Sequence, residues 1–163
     1  MTTRWLFAIL CCGFLFSAIR PLAQSLPLKD AAGFEQWTAD ELVSRAKTLP
    51  IDNDRKQGVT SLGIWGNHRA NLERLEGRTD AEIHQTKADL TFVTSGQITL
   101  TVGGTIVDPR TSSEGEIRGT SIIGGTVKTL STGDVAHIPA NMAHQLDAQG
   151  KQTTFVVLKV DQP

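Results

Sequence analysis

The sequence predicts an all-β domain, a small barrel or sandwich. From about residue 58 onward, short stretches rich in β-branched and aromatic residues alternate with turn signals, and helical periodicity disappears. Glycine-containing turns separate the stretches, and glycine permits the positive φ angles that tight hairpins need. The chain of 163 residues also has a length typical of one domain. The clearest predicted strands are 90–94, 97–102, 119–123, 126–130, 134–138 and 153–160.

The first 23 residues differ from the rest and predict a secretory signal peptide. Arg4 precedes an almost purely apolar run, Trp5–Ile19, and the small residue Ala23 offers a cleavage point, with Ala18 as the alternative. The run is shorter than the roughly 20 residues that cross a hydrocarbon core, which favours cleavage over a retained membrane anchor. We therefore expect an exported protein, periplasmic or secreted, with no membrane attachment after cleavage.

Cysteine content and charge exclude several classes of function. Cys11 and Cys12 are the two cysteines of the chain, and both lie in the predicted signal peptide, so the mature protein has no disulfide and no thiolate site. The 16 basic residues include Arg4 and Arg20, so cleavage leaves 14 basic against 17 acidic residues, a formal charge of −3. Neither nucleic acids nor anionic membranes are expected partners, because both require a basic surface.

Residues 24–57 predict an N-terminal arm with one short helix. The segment Thr38–Glu41 matches a capping box, in which a hydroxyl and a carboxylate satisfy free backbone N–H groups. Leu42, Ala46 and Leu49 follow at helical spacing. We expect this helix to pack against the outside of the domain or against a second copy of the chain.

The segment from Asp108 to Gly119 is polar and contains turn residues throughout, which predicts a long loop over the barrel mouth or at a dimer contact. Arg118 lies in this segment with Glu114 and Glu116. Its guanidinium could clamp a substrate carboxylate. The alternative is a solvated loop charge.

Two of the four histidines have a setting that suggests chemistry. Glu82 and His84 are two residues apart in a short extended segment, so both point to one face. Asp89 begins the next predicted strand, and His144 follows a turn marked by Pro139. The other two histidines are expected at the rim or exterior of the barrel and are His68 and His137.

The sequence around the first pair resembles the first motif of the cupin family, whose members are small double-stranded β-helix barrels. That motif has two histidines one residue apart, then a glutamate and a glycine. His84 matches the second histidine and Gly96 matches the glycine. Glu82 stands where the first histidine is expected, and Asp89 stands where the glutamate is expected.

The second cupin motif resembles the stretch from Gly133 to Ala148. Gly133, Pro139 and His144 match it, whereas Asn141 occupies a glycine position and Ala148 the closing asparagine position. Asparagine is a tolerable replacement, because it enters left-handed backbone geometry more easily than most residues.

The resemblance implies that Glu82, His84, Asp89 and His144 converge inside the barrel on a divalent metal. Two imidazoles with two carboxylates are a harder ligand set than three imidazoles with one, which favours Mn, Fe or Zn. Asp89 is one methylene shorter than glutamate, so its direct contact with a metal is open. The alternative is a metal-free barrel in which these groups hydrogen-bond one another.

The sequence thus predicts an exported cupin with its barrel in residues 58–163, which binds a divalent metal and acts on a small polar metabolite. Isomerase, oxygenase and lyase chemistry are all compatible with it, and Glu82 or Asp89 is the candidate to move a proton if it is not bound to metal. The alternative is a non-catalytic, metal-free barrel that binds a small ligand. Cupins often dimerise through sheet edges and terminal arms, which implies a homodimer.

Overall fold

The structure is a computed structural model that describes residues 32–162. The predicted signal peptide, 1–23, and the first part of the predicted arm lie outside the described residues. The segment Gln36–Pro163 forms a compact unit. Within the described part of the chain, no helix is long and apolar enough to cross a membrane.

Helix α1, Ala39–Lys47, begins with the predicted capping box. The Thr38 hydroxyl accepts a hydrogen bond from the Glu41 backbone N–H at 3.2 Å, and the Glu41 carboxylate accepts one from the Thr38 N–H at 2.7 Å. The buried residues of the helix, Leu42 and Ala46, pack with Leu72 of the neighbouring sheet. This apolar contact attaches the helix to the outer face of that sheet.

Thirteen strands in the described region form two larger sheets and one two-stranded sheet. In chain order they are β1 Gln57–Trp65, β2 His68–Leu75, β3 Ala81–His84, β4 Lys87–Ser95, β5 Gln97–Val102, β6 Thr105–Val107, β7 Arg110–Ser113, β8 Glu116–Gly119, β9 Ser121–Ile123, β10 Thr126–Ser131, β11 Val135–Ile138, β12 His144–Asp147 and β13 Thr153–Asp161. The five-stranded sheet has the order β1-β2-β13-β4-β11, and the six-stranded sheet has the order β10-β5-β12-β3-β8-β7. Strands β6 and β9 pair separately.

Side chains alternate between the two faces of the five-stranded sheet, so that one set points into the barrel and the other packs against the helix. Leu75 on β2, Val93 on β4 and Val157 on β13 belong to the main core. Leu72 and Val156, which have the opposite parity, pack with α1 instead. Because successive side chains of a strand point to opposite faces, the odd-numbered residues of β2, β4 and β13 face the barrel interior.

The segment from Asp108 to Gly119 is not the long loop that its composition predicted. It forms the hairpin β7–β8, with Gly115 in the turn at a φ of 72°. Strand β8 then pairs with β3, so that Arg118 lies opposite Glu82. Every residue of β7 is exposed, so this edge strand lacks the apolar alternation from which a strand is recognised in a sequence.

Candidate metal centre

The four predicted ligands lie close together in the barrel interior, and three of them form a group that could hold one ion. Strand β3 carries Glu82 and His84 on one face, and His144 opens the neighbouring strand β12 directly opposite Glu82. One ligand atom from each of these three residues lies within 4.8 Å of the others. Both histidines are only 3% exposed, so their ring nitrogens are shielded from bulk water.

Hydrogen bonds on the far side of each ring orient both imidazoles. The Nδ1 atom of His144 donates to the carbonyl of Met142 at 3.0 Å, and Nδ1 of His84 lies 2.5 Å from Oε2 of Glu116. With the proton on Nδ1, the lone pair of Nε2 faces the other ligand atoms. An outer carboxylate or carbonyl of this kind is the usual partner of a metal-binding histidine. Glu116 would have this role toward His84 if the site held a metal, and sequence reasoning missed it because it placed the residue in a loop.

The turn before His144 has the predicted left-handed residue. Asn141 has a φ of 63°, a geometry that asparagine adopts more readily than most side chains. Its backbone N–H donates to the carbonyl of His84 at 2.7 Å. The turn is therefore fastened to the end of β3, and this hydrogen bond keeps the two histidine-bearing segments together.

The fourth predicted ligand, Asp89, is bound by a lysine that sequence reasoning missed. Lys159 on β13 lies opposite Asp89 on β4. Its Nζ donates to Oδ2 of Asp89 at 2.6 Å and to Nε2 of His84 at 2.7 Å. Asp89 itself lies close to both histidines, since its Oδ2 is 3.4 Å from Nε2 of His84 and 3.7 Å from Nε2 of His144. Direct contact of Asp89 with a metal stays a prediction.

Solved structures with this architecture identify the fold. A protein with a double-stranded beta-helix domain from Klebsiella pneumoniae has a TM-score of 0.55 and 14% identity, over 78% of this chain and 90% of that chain. The cupin domain of Schizosaccharomyces pombe Cnp3 has a TM-score of 0.50 and 9% identity, over 72% of this chain and 67% of that chain. The protein has a cupin fold.

A third structural neighbour is TT1209 from Thermus thermophilus, with a TM-score of 0.51 and 13% identity, over 74% of this chain and 95% of that chain. No protein-family model and no curated protein matches the sequence. At these identities the likeness shows the cupin fold and nothing about activity, because one fold serves many functions. The function has to be argued from the site.

Arg118 belongs to the site of this cupin barrel and is not the solvated loop charge that the sequence suggested. Its Nη1 lies 2.7 Å from Oε2 of Glu82, with side-chain exposures of 31% for the arginine and 13% for the glutamate. Each of the two predicted acidic ligands, Glu82 and Asp89, therefore has its own basic partner. The sequence did not predict this ion pair, because it depends on the pairing of β8 with β3, which places Arg118 opposite Glu82.

The remaining two histidines lie apart from the cluster. His137 is exposed on β11, as expected for an exterior residue. His68 begins β2 and stacks on Trp65, with ring centroids 5.6 Å apart. Neither belongs to the group of described residues that could hold an ion.

Unpartnered polar atoms indicate where the cupin site can accept a ligand. Among the buried side-chain atoms of the described residues, Nε2 of His144 and Oδ1 of Asp89 have no hydrogen-bond partner. The nearest Glu82 oxygen is 3.7 Å from that Nε2, too far for a hydrogen bond. An unpaired buried acceptor costs about 1–3 kcal/mol, which a bound cation would offset. The two imidazoles and the carboxylate of Glu82 could hold a divalent metal.

Neighbouring charges keep the Asp89 carboxylate ionised, and burial favours the neutral form of His144. Burial lowers the pKa of His144, and this effect exceeds the opposing influence of Glu82. Burial acts to raise the pKa of Asp89, but the neighbouring His84 and Lys159 prevail and lower it to about 2. Burial also acts to lower the pKa of His84, but Asp89 and Glu82 outweigh it and raise that pKa. At 2.7 Å, the Nζ atom of Lys159 donates a hydrogen bond and Nε2 of His84 accepts it.

A polar cavity of about 260 Å³ adjoins the site. Glu82, Arg118 and Lys159 line it together with Glu73, whose carboxylate accepts a hydrogen bond from the Gln57 amide at 2.8 Å. Burial raises the pKa of Glu73 to about 7. The cavity therefore gives a small polar molecule room beside Glu82.

Proposed function

We propose that this cupin binds a divalent metal through Glu82, His84 and His144 and acts on a small polar metabolite in the adjoining cavity. The observation that carries the proposal is the buried, unpartnered Nε2 of His144, whose neighbours are ligand atoms of Glu82 and His84. Nitrogen and carboxylate donors suit Mn, Fe or Zn. Such an ion, when bound, supplies a Lewis acid toward a substrate oxygen.

The residues around the cluster supply charge and a proton acceptor. Arg118 lines the cavity and holds Glu82 in place through their ion pair. Glu82 and Asp89 are the candidate proton acceptors; Asp89 has one buried oxygen without a partner, but its pKa of about 2 makes it a weak base. Isomerisation and lyase reactions would use a proton acceptor next to a polarised oxygen, whereas oxygenation would require a redox-active ion such as Fe; these are the reaction classes proposed.

The position of Lys159 supports a second candidate function, in which the protein is a metal-free, non-catalytic cupin that binds a small ligand. Its ammonium lies 2.6 Å from Asp89 and 2.7 Å from His84. A cation in this position neutralises Asp89 without any metal, and Arg118 does the same for Glu82. In this case the histidines are hydrogen-bonding groups of a polar interior.

Metal content distinguishes the two candidates. The protein is dialysed against a mild chelator, reloaded separately with Mn²⁺, Fe²⁺ or Zn²⁺, desalted and subjected to elemental analysis. We expect one ion per chain in the wild type and none in a folded His144→Ala variant. The exposed His137→Ala is the matched control and should keep the ion. A wild type that holds no ion after reloading makes the metal-free binding protein the better account.

We also propose that the protein is exported and forms a homodimer. The basic start and apolar run of residues 1–23 support export, and N-terminal sequencing of mature protein should begin at or near Gln24. An intact Met1 terminus on soluble protein would contradict this.

Edge strand β1 exposes Val59 and Ile64, which supports pairing with a second copy. Light scattering coupled to size-exclusion chromatography measures the oligomeric state.

A further inference from the structure

Two cations and one carboxylate stand side by side across the five-stranded sheet. Arg69 on β2 lies directly opposite Lys159 on β13, and Lys159 lies directly opposite Asp89 on β4. All three have the parity that faces the barrel interior. Like charges directly opposite each other destabilise an antiparallel pair, so the Arg69–Lys159 neighbourhood costs stability in the ligand-free barrel.

Arg69 has no acidic partner in the described part of the chain. Asp89, at the matching position two strands away, is already paired with Lys159 at 2.6 Å. The ion pairs among the described residues do not include Arg69, and its buried Nε has no hydrogen-bond acceptor. A buried donor without an acceptor is unfavourable unless a ligand satisfies it.

Arg69 is the basic residue of the neighbouring cavity that lacks an acidic partner among the described residues, since Arg55 pairs with Asp80, Arg118 with Glu82 and Lys159 with Asp89. The basic residues that line this cavity are Arg55, Arg69, Arg118 and Lys159, and the acidic ones are Glu73 and Glu82. Glu82 is already paired with Arg118 at 2.7 Å. Burial raises the pKa of Glu73 to about 7, so this acid carries only part of a charge at neutral pH.

A second cavity has a volume of about 180 Å³. Arg69 and Lys159 border it as well, together with Lys87 and Asp161. Here too the basic side chains outnumber the acidic ones. The guanidinium of Arg69 thus borders two cavities, and it is not ion-paired at either of them among the described residues.

We propose that the barrel cavity binds a small organic carboxylate, with Arg69 as its principal partner and Lys159 and Arg118 as additional N–H donors. A guanidinium presents a planar fork of N–H donors that matches a carboxylate. The cavity of about 260 Å³ lies just below the range of about 300–1,000 Å³ that is usual for small-molecule sites, which limits the ligand to a small acid. The inference rests on the proposed function in that it names the substrate class of the same site, but it does not require the metal.

Thermal unfolding of the mature protein, stripped of metal, tests this inference. The probes are acetate, succinate and malate, compared with chloride at equal ionic strength and with uncharged succinamide. We expect the carboxylates to raise the Tm of the wild type in a dose-dependent manner, and chloride and succinamide to leave it unchanged. Inorganic phosphate forms a separate arm, and a larger shift with phosphate than with every carboxylate would overturn the assignment to carboxylates.

The Arg69→Met variant shows whether this residue carries the binding. Without added ligand, its Tm should equal or exceed that of the wild type, because the like-charge contact with Lys159 is gone, and the carboxylate response should disappear. Arg45→Met, on the exposed face of α1, is the matched control and should keep the response. A variant that loses stability and still responds to carboxylates would show that Arg69 is only structural.

The outcomes also separate this inference from the proposed metal function. A wild type that responds to carboxylates but holds no metal after reloading supports the inference and contradicts the metal site. A wild type that binds metal with the expected stoichiometry but gives no carboxylate response in either its loaded or its metal-free form overturns the inference alone.

Discussion

The Nζ atom of Lys159 lies 2.7 Å from Nε2 of His84, the same ring nitrogen that lies 3.8 Å from Oε2 of Glu82. The lysine therefore donates to an atom that a metal would also need. An ion bound at His84 has to displace this ammonium, and Asp89 then loses its hydrogen bond from Lys159. Competition between an internal cation and an added one follows directly from this geometry.

Removing the ammonium should strengthen metal binding. Lys159→Met keeps most of the side-chain volume but frees His84 and Asp89, so we expect the affinity for Mn²⁺ or Zn²⁺ to rise at least about tenfold, which corresponds to about 1.4 kcal/mol. The metal-free variant should unfold at lower urea, because an unpaired buried carboxylate is destabilising. Isothermal titration calorimetry and urea unfolding measure the two effects. Lys128→Met, at an exposed position, is the control. An unchanged metal affinity in Lys159→Met would show that Lys159 does not compete with the metal for His84.

Glu116 should act as a positioning residue for His84. Its carboxylate holds Nδ1 of the ring, and loss of such outer partners lowers metal affinity by about 10–100-fold. We expect this loss in Glu116→Ala and partial rescue in Glu116→Gln, whose amide oxygen can still accept the hydrogen bond. NMR titration of His84 adds a second readout, because removal of the Glu116 charge should lower the pKa of the imidazole. Equal affinities in the wild type and Glu116→Ala would remove Glu116 from the site.

Arg118 should matter more for stability than an exposed loop charge would. A solvated charge predicts a change below about 0.5 kcal/mol on mutation to alanine. Its ion pair with Glu82 is partly buried, so the loss should fall between about 1 kcal/mol, as for exposed pairs, and about 3 kcal/mol, as for buried ones. A double-mutant cycle with Glu82→Gln, followed by urea unfolding, isolates the interaction. A coupling energy near zero would mean that the two side chains do not stabilise each other.

The parts of the site that the sequence could predict are those within short segments. Glu82 and His84 share a face because they are two residues apart on one strand, and Asn141 adopts left-handed geometry because its side chain allows it. The partners that complete the site come from distant segments, since Lys159 meets Asp89 across 70 positions and His84 across 75. Such meetings depend on which strands pair and in what register, and no local pattern contains that information.

The hairpin β7–β8 shows the same limit for the fold. Its residues are polar because β7 is an exposed edge strand and because β8 carries the charged Glu116 and Arg118 next to the site. Hydrophobic alternation therefore could not reveal these strands, whereas it did reveal those that contribute Phe155 and Val157 to the core. The polar and charged side chains of β7 and β8 therefore leave no apolar alternation from which these strands could be recognised.

Glu73 should make the stability of the barrel depend on pH near neutrality. Burial raises its pKa from 4.5 to about 7, so the folded protein binds this proton more tightly than the unfolded chain does. The stabilisation is complete below pH 4.5 and is lost as pH rises through about 7, where the buried carboxyl ionises. Above that pH the ionised carboxylate costs up to about 3 kcal/mol relative to a neutral group. Glu73→Gln is neutral at every pH and can still hydrogen-bond Gln57, so it should match the wild type at pH 4.5 and be more stable at pH 8. Urea unfolding of both proteins at the two pH values measures the difference, and a constant difference would show that Glu73 titrates normally in the folded barrel.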